Sequence, residues 1–207
     1  MAKRLGSLVA VLAVIGLTSA AMSAATSHGR GPQAVARLRD VNGRPVAVVK
    51  LYGDHAKVKV SARAEKIEPA GEFHGFHVHQ TGVCDPGAVD PATGAVVPFL
   101  SAGGHFNPED TTHGEHAGDF PVLLVNSDGT ARARFSTDRF EITDLFDDDG
   151  SAVIIHAGRD NYANIPATTT TGEERYHSHL EDVFGPDSLT LATGDAGSRF
   201  ACGVVRH

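Results

Sequence analysis

"AVARLRDVNGRPVAVVKLYGDHAKVKVSARA", residues 34–64, decides the fold. Its last part, "AKVKVSARA" (56–64), alternates apolar and polar residues, the period of a strand with one buried face. The first part, "AVARLRDVNGRPVAVVKLY" (34–52), reads as two strands around a turn at Asn42-Gly43, a pair suited to a tight turn. Outward from here the β signal continues. "GEFHGFHVHQ" (71–80) is a short β run, and "FPVLLVNSDGTARARFS" (120–136) is a hairpin around Ser-Asp-Gly. "DLFDDDGSAVIIHAG" (144–158) holds an acidic turn and a buried strand, and "SRFACGVV" (198–205) is a last strand. No stretch shows a helical period. Short strands joined by turns predict an all-β antiparallel sandwich or barrel. Two long turn-rich segments, about 81–118 and 160–197, stand out against that frame. Long loops in a compact domain commonly carry function.

The chain has 207 residues, which suits one domain. Hydrophobic residues make up 41% and Trp is absent, so the core must rely on Val, Ile, Leu and Phe. Lys and Arg number 18 against 25 Asp and Glu, a net charge of −7, which disfavours nucleic acid as a partner. Lys3 and Arg4 precede the apolar run "LGSLVAVLAVIGL" and the small residues "TSAAMSAATS". These are the three parts of a secretory signal peptide, assigned to 1–25 with cleavage after Ala21 or Ala25. The run is shorter than the roughly 20 residues of a comfortable span, so no stable membrane span remains after cleavage. An uncleaved N-terminal anchor is the alternative. A short polar linker (26–34) leads to the domain, 35–207. Export to periplasm, cell envelope or medium follows, and loss of Lys3 and Arg4 makes the mature chain more acidic. The cysteines are Cys84 and Cys202. In an exported protein two cysteines read as one disulfide, here closing a loop worth about 4–5 kcal/mol in the ideal chain-entropy model. Two free buried thiols are the alternative.

There are 12 histidines, and several cluster. In "GFHVH" (75–79) His77 and His79 share one strand face, while Phe76 and Val78 point to the core. Two imidazoles side by side make either a metal site or two solvated surface histidines. "HFNPEDTTHGEHAGD" (105–119) has loop composition, yet carries His105, His113, His116 and Asp119. Three imidazoles and a carboxylate suit tetrahedral zinc, and imidazole also suits copper. A metal would order a loop with little apolar content of its own. In "VIIHAGRDN" (153–161), His156 ends an apolar strand. Asp160 follows as an acceptor for a ligand imidazole N–H, or as a surface acid in a turn.

"GFHVH", "GGHFNPEDTTHGEHAGD", "IIHAGRDN" and "GDAGSRFACGVV", in this order, resemble the copper/zinc superoxide dismutase family, its exported bacterial branch above all. The resemblance covers about 35–206. It implies a Greek-key β-sandwich or barrel with two functional loops, copper and zinc as cofactors, and superoxide as substrate. His77, His79 and His156 match copper ligands, and His105 matches the histidine shared by copper and zinc. His113, His116 and Asp119 match the remaining zinc ligands. Asp160 matches the outer carboxylate that links the two metal sites. Arg199 matches the arginine that guides the anion beside copper. Cys84 and Cys202 match the family disulfide. The implied reaction is a two-step cycle of copper between Cu(II) and Cu(I), with His105 carrying a proton. Arg199 and His105 are the catalytic residues.

All seven ligand positions are filled. The departure is "IPATTTTGEERYHSHLEDVFGPDSL" (165–189), which does not follow the charged loop of animal cytosolic enzymes, so their steering charges do not transfer. The sequence leaves the oligomeric state open: a homodimer is one option, with no contact residue assigned. His177 and His179 are either an auxiliary copper-capture pair or part of a solvated loop. His74 has the opposite parity to His77 and is either structural or solvent-facing. His55 and His207 are given no role. If cleavage follows Ala25, the new N-terminus Thr26-Ser27-His28 offers an amine, two amides and an imidazole to Cu(II). The competing function is a non-catalytic copper carrier on the same fold, which has no need of Arg199 or a shared His105.

Overall fold

The computed structural model describes residues 31–54 and 56–207. The expectations for the signal peptide, most of the linker, His28 and His55 lie outside the described residues.

The chain runs β1 (Ala34–Asp40), β2 (Pro45–Asp54), β3 (Lys57–Ala64), β4 (Phe73–His74), β5 (Phe76–His79) and β6 (Leu123–Leu124). It continues with β7 (Ala131–Thr137), β8 (Ala152–His156), β9 (His177–Ser178), β10 (Val183–Phe184), helix α1 (Ser188–Thr193) and β11 (Arg199–Arg206). Seven strands form one curled antiparallel sheet in the order β5-β8-β11-β1-β2-β3-β7. The non-consecutive neighbours β5·β8, β8·β11, β11·β1 and β3·β7 are crossovers of the kind an all-β Greek-key winding needs. The 34–64 stretch folds as read: Asp40 Oδ1 accepts from Asn42 N and Arg44 N, and Gly43 takes the positive φ of 76° that the turn requires.

Alternation sets the core. In β1 and β3 every second residue is buried, including Leu38, Val58 and Val60, and these pack with Leu51, Phe76, Phe120 and Ile155. β8 is buried along its whole length because it is covered twice. Val153 and Ile155 face the main core, while Ala152 and Ile154 face a second cluster with Phe99, Ala102 and Cys202. That second cluster is pinned by the Cys84–Cys202 disulfide, with Cα atoms 5.7 Å apart and a sequence separation of 118. The bond settles the cysteine alternatives in favour of pairing.

One expectation is corrected. The segment 160–197 is not without helix: α1 is capped by Asp187, whose side chain accepts from Thr190 N, and closed by Gly194. Six residues are too few to show a period, so only the caps signal it. No helix among the described residues is long and apolar enough to cross a membrane.

Candidate metal centre

His77 and His79 leave β5 toward one side, as alternation requires, and His156 ends β8 beside them. The 105–119 loop closes over them. Its anchors are Phe106 and Ala117, both buried in the main core, so the loop has more apolar footing than its composition suggests. Bridges His77↔Asp119 and His79↔His105 tie the loop to β5. His77, His79, His105, His113, His116, Asp119 and His156 are all buried.

Two donor sets emerge from the hydrogen bonds. On one side, His79 Nδ1 donates to Gly103 O (3.0 Å) and His156 Nδ1 donates to Gly197 O (3.1 Å). Both rings therefore present a bare Nε2, and these nitrogens are 3.4 Å apart. His77 Nε2 donates to Asp160 Oδ2 (2.6 Å), leaving Nδ1 buried with no partner among the described residues. Three lone pairs facing one another in a buried space call for a cation. On the other side, His105 Nδ1 lies 2.9 Å from Asp119 Oδ1, 3.2 Å from His113 Nδ1 and 3.3 Å from His116 Nδ1. His113 Nε2 donates to Asp160 Oδ1 (2.8 Å), so Nδ1 is the nitrogen it turns toward this set. Three nitrogens and a carboxylate oxygen converge there. The chemistry of both sets fits metal ions.

His77 lies close enough to join either set with His105. Its Nε2 is consumed by Asp160, so it can serve only through Nδ1. His116 Nδ1 lies beside the second set, 3.3 Å from His105 Nδ1 and 3.4 Å from Asp119 Oδ2.

Burial explains the protonation. It pushes His79 and His156 well below the ordinary histidine value, aided by neighbouring imidazoles and Arg199. It lowers His77 despite Asp160, and brings His105 to about 4 against the pull of Asp119. His113 goes the other way. Burial opposes its charge, but the Asp119 and Asp160 hydrogen bonds raise it to about 9. Burial likewise opposes charge on Asp119 and Asp160, yet the histidines around them hold both carboxyls far below the usual range. Asp160 is therefore not a surface acid in a turn. It is a buried carboxylate joining one ring from each set.

The Arg199 guanidinium donates to Phe99 O and to Gly103 O (2.6 Å), the same carbonyl that orients His79. Gly194, at φ 60°, packs so close to Asp160 and His113 that any Cβ would collide with their bond.

The site matches a family in its parts. A family model described as copper/zinc superoxide dismutase covers residues 45–205. The chain belongs to the copper/zinc superoxide dismutase family. The copper/zinc superoxide dismutase of Mycolicibacterium paratuberculosis is 40% identical over 189 residues, covering 90% of this chain and 80% of its own. That of Mycobacterium tuberculosis is 47% identical over 167 residues, covering 79% of this chain and 66% of its own. Among solved structures, the Cu/Zn superoxide dismutase of Brucella abortus superposes with a TM-score of 0.59 at 26% identity, covering 84% of this chain and 100% of its own. A SOD-like protein of Bacillus subtilis gives a TM-score of 0.56 at 27% identity, covering 82% of this chain and 96% of its own. Copper and zinc are the metals that the family and both histidine sets fit.

Of three supporting residues, His74 stood between two readings and Arg139 and Tyr162 were not legible beforehand. His74 is structural, not solvent-facing: it is fully buried, with Nδ1 on His156 O (2.7 Å) and Nε2 on Pro69 O (2.8 Å). Arg139 donates to Gly114 O and His116 O, both at 3.0 Å, and holds the 105–119 loop from β7's end. The Tyr162 ring stacks on His113 while its hydroxyl accepts from Val122 N (2.7 Å). Only His74 carried a signal, its place beside "GFHVH". His177 lies apart from the centre, with Nδ1 on Glu174 and Nε2 on Asp182, and its ring stacks on His179. Both nitrogens of His177 are engaged, which disfavours the copper-capture reading.

Proposed function

We propose that the protein is an exported enzyme that turns two superoxide anions and two protons into one dioxygen and one hydrogen peroxide. The observation that carries this reading is one buried cluster divided into two donor sets that share His105. His77 through Nδ1, with His79, His105 and His156 through Nε2, would hold copper. His105 through Nδ1, with His113, His116 and Asp119, would hold zinc. When bound, copper supplies one-electron chemistry, and zinc supplies a fixed charge with no redox chemistry of its own.

The chain's own residues do the rest. Arg199 binds the anion. Two backbone carbonyls fix its guanidinium and leave N–H groups for a ligand beside His79. Its local charge offsets the long-range repulsion of an acidic chain. His105 carries one of the two protons: with Nδ1 held in the set with Asp119, Nε2 is the nitrogen that takes a proton up and returns it to the product. Asp160 keeps His77 and His113 in one tautomer and couples the two sets mechanically.

Export to an extracytoplasmic compartment is supported by the signal-like segment 1–25 and by a disulfide, which persists where thiols are oxidised. The test is superoxide dismutation by metal-free, zinc-only and copper-plus-zinc protein. Turnover that requires copper supports the reading, and its absence removes it. Intact mass of the secreted chain checks cleavage after Ala21 or Ala25.

A further inference from the structure

The metal centre leaves the outer face of the sheet unused, and that face is basic. The register sets Arg206 across from Val35, Val35 from Lys50, Lys50 from Ser61, and Ser61 from Arg134. One row over, Arg37 faces Val48, Val48 faces Arg63, and Arg63 faces Arg132. Arg37, Lys50, Arg63, Arg132, Arg134 and Arg206 are all exposed. They form two adjacent rows across β11, β1, β2, β3 and β7. Along the first row the cations sit two strands apart, about 10 Å.

This arrangement has no internal explanation. Among the described residues, none of these cations is in an ion pair. The acids of these five strands are Asp40, which is buried against Arg44, and Asp54, which pairs with Lys59. Arg63 opposite Arg132 is a like-charge cross-strand pair, which costs stability. A chain with 25 acids and 18 bases has kept acids off these rows. An external anion accounts for that.

We propose that this face binds a linear polyanion, a polymer with repeated carboxylate or phosphate groups, lying across the strands. The shape of the array selects this occupant. The face curves with the twist of the sheet, so a flexible chain follows it while a flat bilayer touches few of its charges. The exposed large apolar residues, such as Phe73, Leu124, Leu180 and Phe184, lie elsewhere, so the face has no wedge for lipid. Neither row holds an aromatic ring on which nucleic-acid bases would stack. Arg199 and Arg206 end opposite tips of β11, about 24 Å apart at the strand rise, so a bound polymer leaves the metal centre open.

The test uses the full metal-loaded chain with two probes, polygalacturonate and inorganic polyphosphate, titrated at rising salt. Binding to one or both should weaken steeply with salt. The pair Arg63→Glu with Arg132→Glu should weaken it about tenfold or more, with dismutation unchanged. The pair Arg159→Glu with Arg175→Glu makes the same change in net charge on residues outside these five strands and should have little effect. Arg132→Glu alone places an acid opposite Arg63. It should raise the melting temperature while weakening binding, which misfolding cannot do. Equal losses in both pairs would reduce the effect to net charge and overturn the proposal. So would no binding of either probe at low salt, or tighter binding to phosphatidylglycerol–phosphatidylcholine vesicles than to the polymers.

Discussion

His77 donates through Nε2 to Asp160 Oδ2 at 2.6 Å, and this bond leaves the other nitrogen of the ring in a buried space with no partner among the described residues. The pairing fixes which nitrogen is bare. Asp160 does the same for His113 with its second oxygen. Asp160→Asn keeps the shape but cannot accept from both rings. Zinc affinity should fall about 10–100-fold, read by chelator competition. Copper should remain bound with an altered electron paramagnetic resonance spectrum. An unchanged zinc affinity would show that Asp160 does not orient His113.

Arg199 stands on Phe99 O and Gly103 O and is half-buried at the start of β11. Arg199→Ala should preserve metal content and lower kcat/KM by about 10–100-fold through lost electrostatic attraction. The remaining rate should also depend less on salt, because screening acts on the charge removed. Steady-state rates across a salt series check both outcomes.

The disulfide joins the segment before the 105–119 loop to β11 over a separation of 118 residues. Cys84→Ser should destabilise the chain by about 3–5 kcal/mol. It should also loosen the Phe99–Ala102 segment, which carries one of the two Arg199 acceptors. Denaturant unfolding with and without reductant measures the first effect, and the activity of the variant measures the second.

Without metal, the folded protein resists protonating His105, whose value falls from 6.5 to about 4, whereas the unfolded chain protonates at the ordinary value. Stability should therefore fall as pH drops through that window, by on the order of 3 kcal/mol from His105. His77, His79 and His156 push the same way. His113 acts oppositely. Its value is raised to about 9, so its contribution is complete below 6.5 and is lost as pH rises through 9. Thermal melts of metal-free protein should peak near 6.5, and metal loading should flatten the alkaline limb because a ligated nitrogen no longer titrates. A metal-free melting temperature that is flat on the acid side would contradict the buried, neutral state of His105.

Much of this was legible in sequence because the signals were local. Period-two alternation in 34–64 located β1 to β3 and their buried faces, and "GFHVH" placed His77 and His79 together. The opposed cations on the outer face could not be seen, because Arg63 and Arg132 meet only through a strand pairing distant in sequence. Arg139 and Tyr162 escaped for the same reason. Each holds the 105–119 loop or its ligands through contacts made after the chain has folded back. Helix α1 was missed because six residues cannot display a period of 3.6.

The most direct measurement is superoxide dismutation by the protein loaded with copper and zinc, with metal content determined on the same sample. The account predicts rapid turnover at about one copper and one zinc per chain. Full loading of both metals without turnover would contradict it and leave a copper carrier built on the same fold.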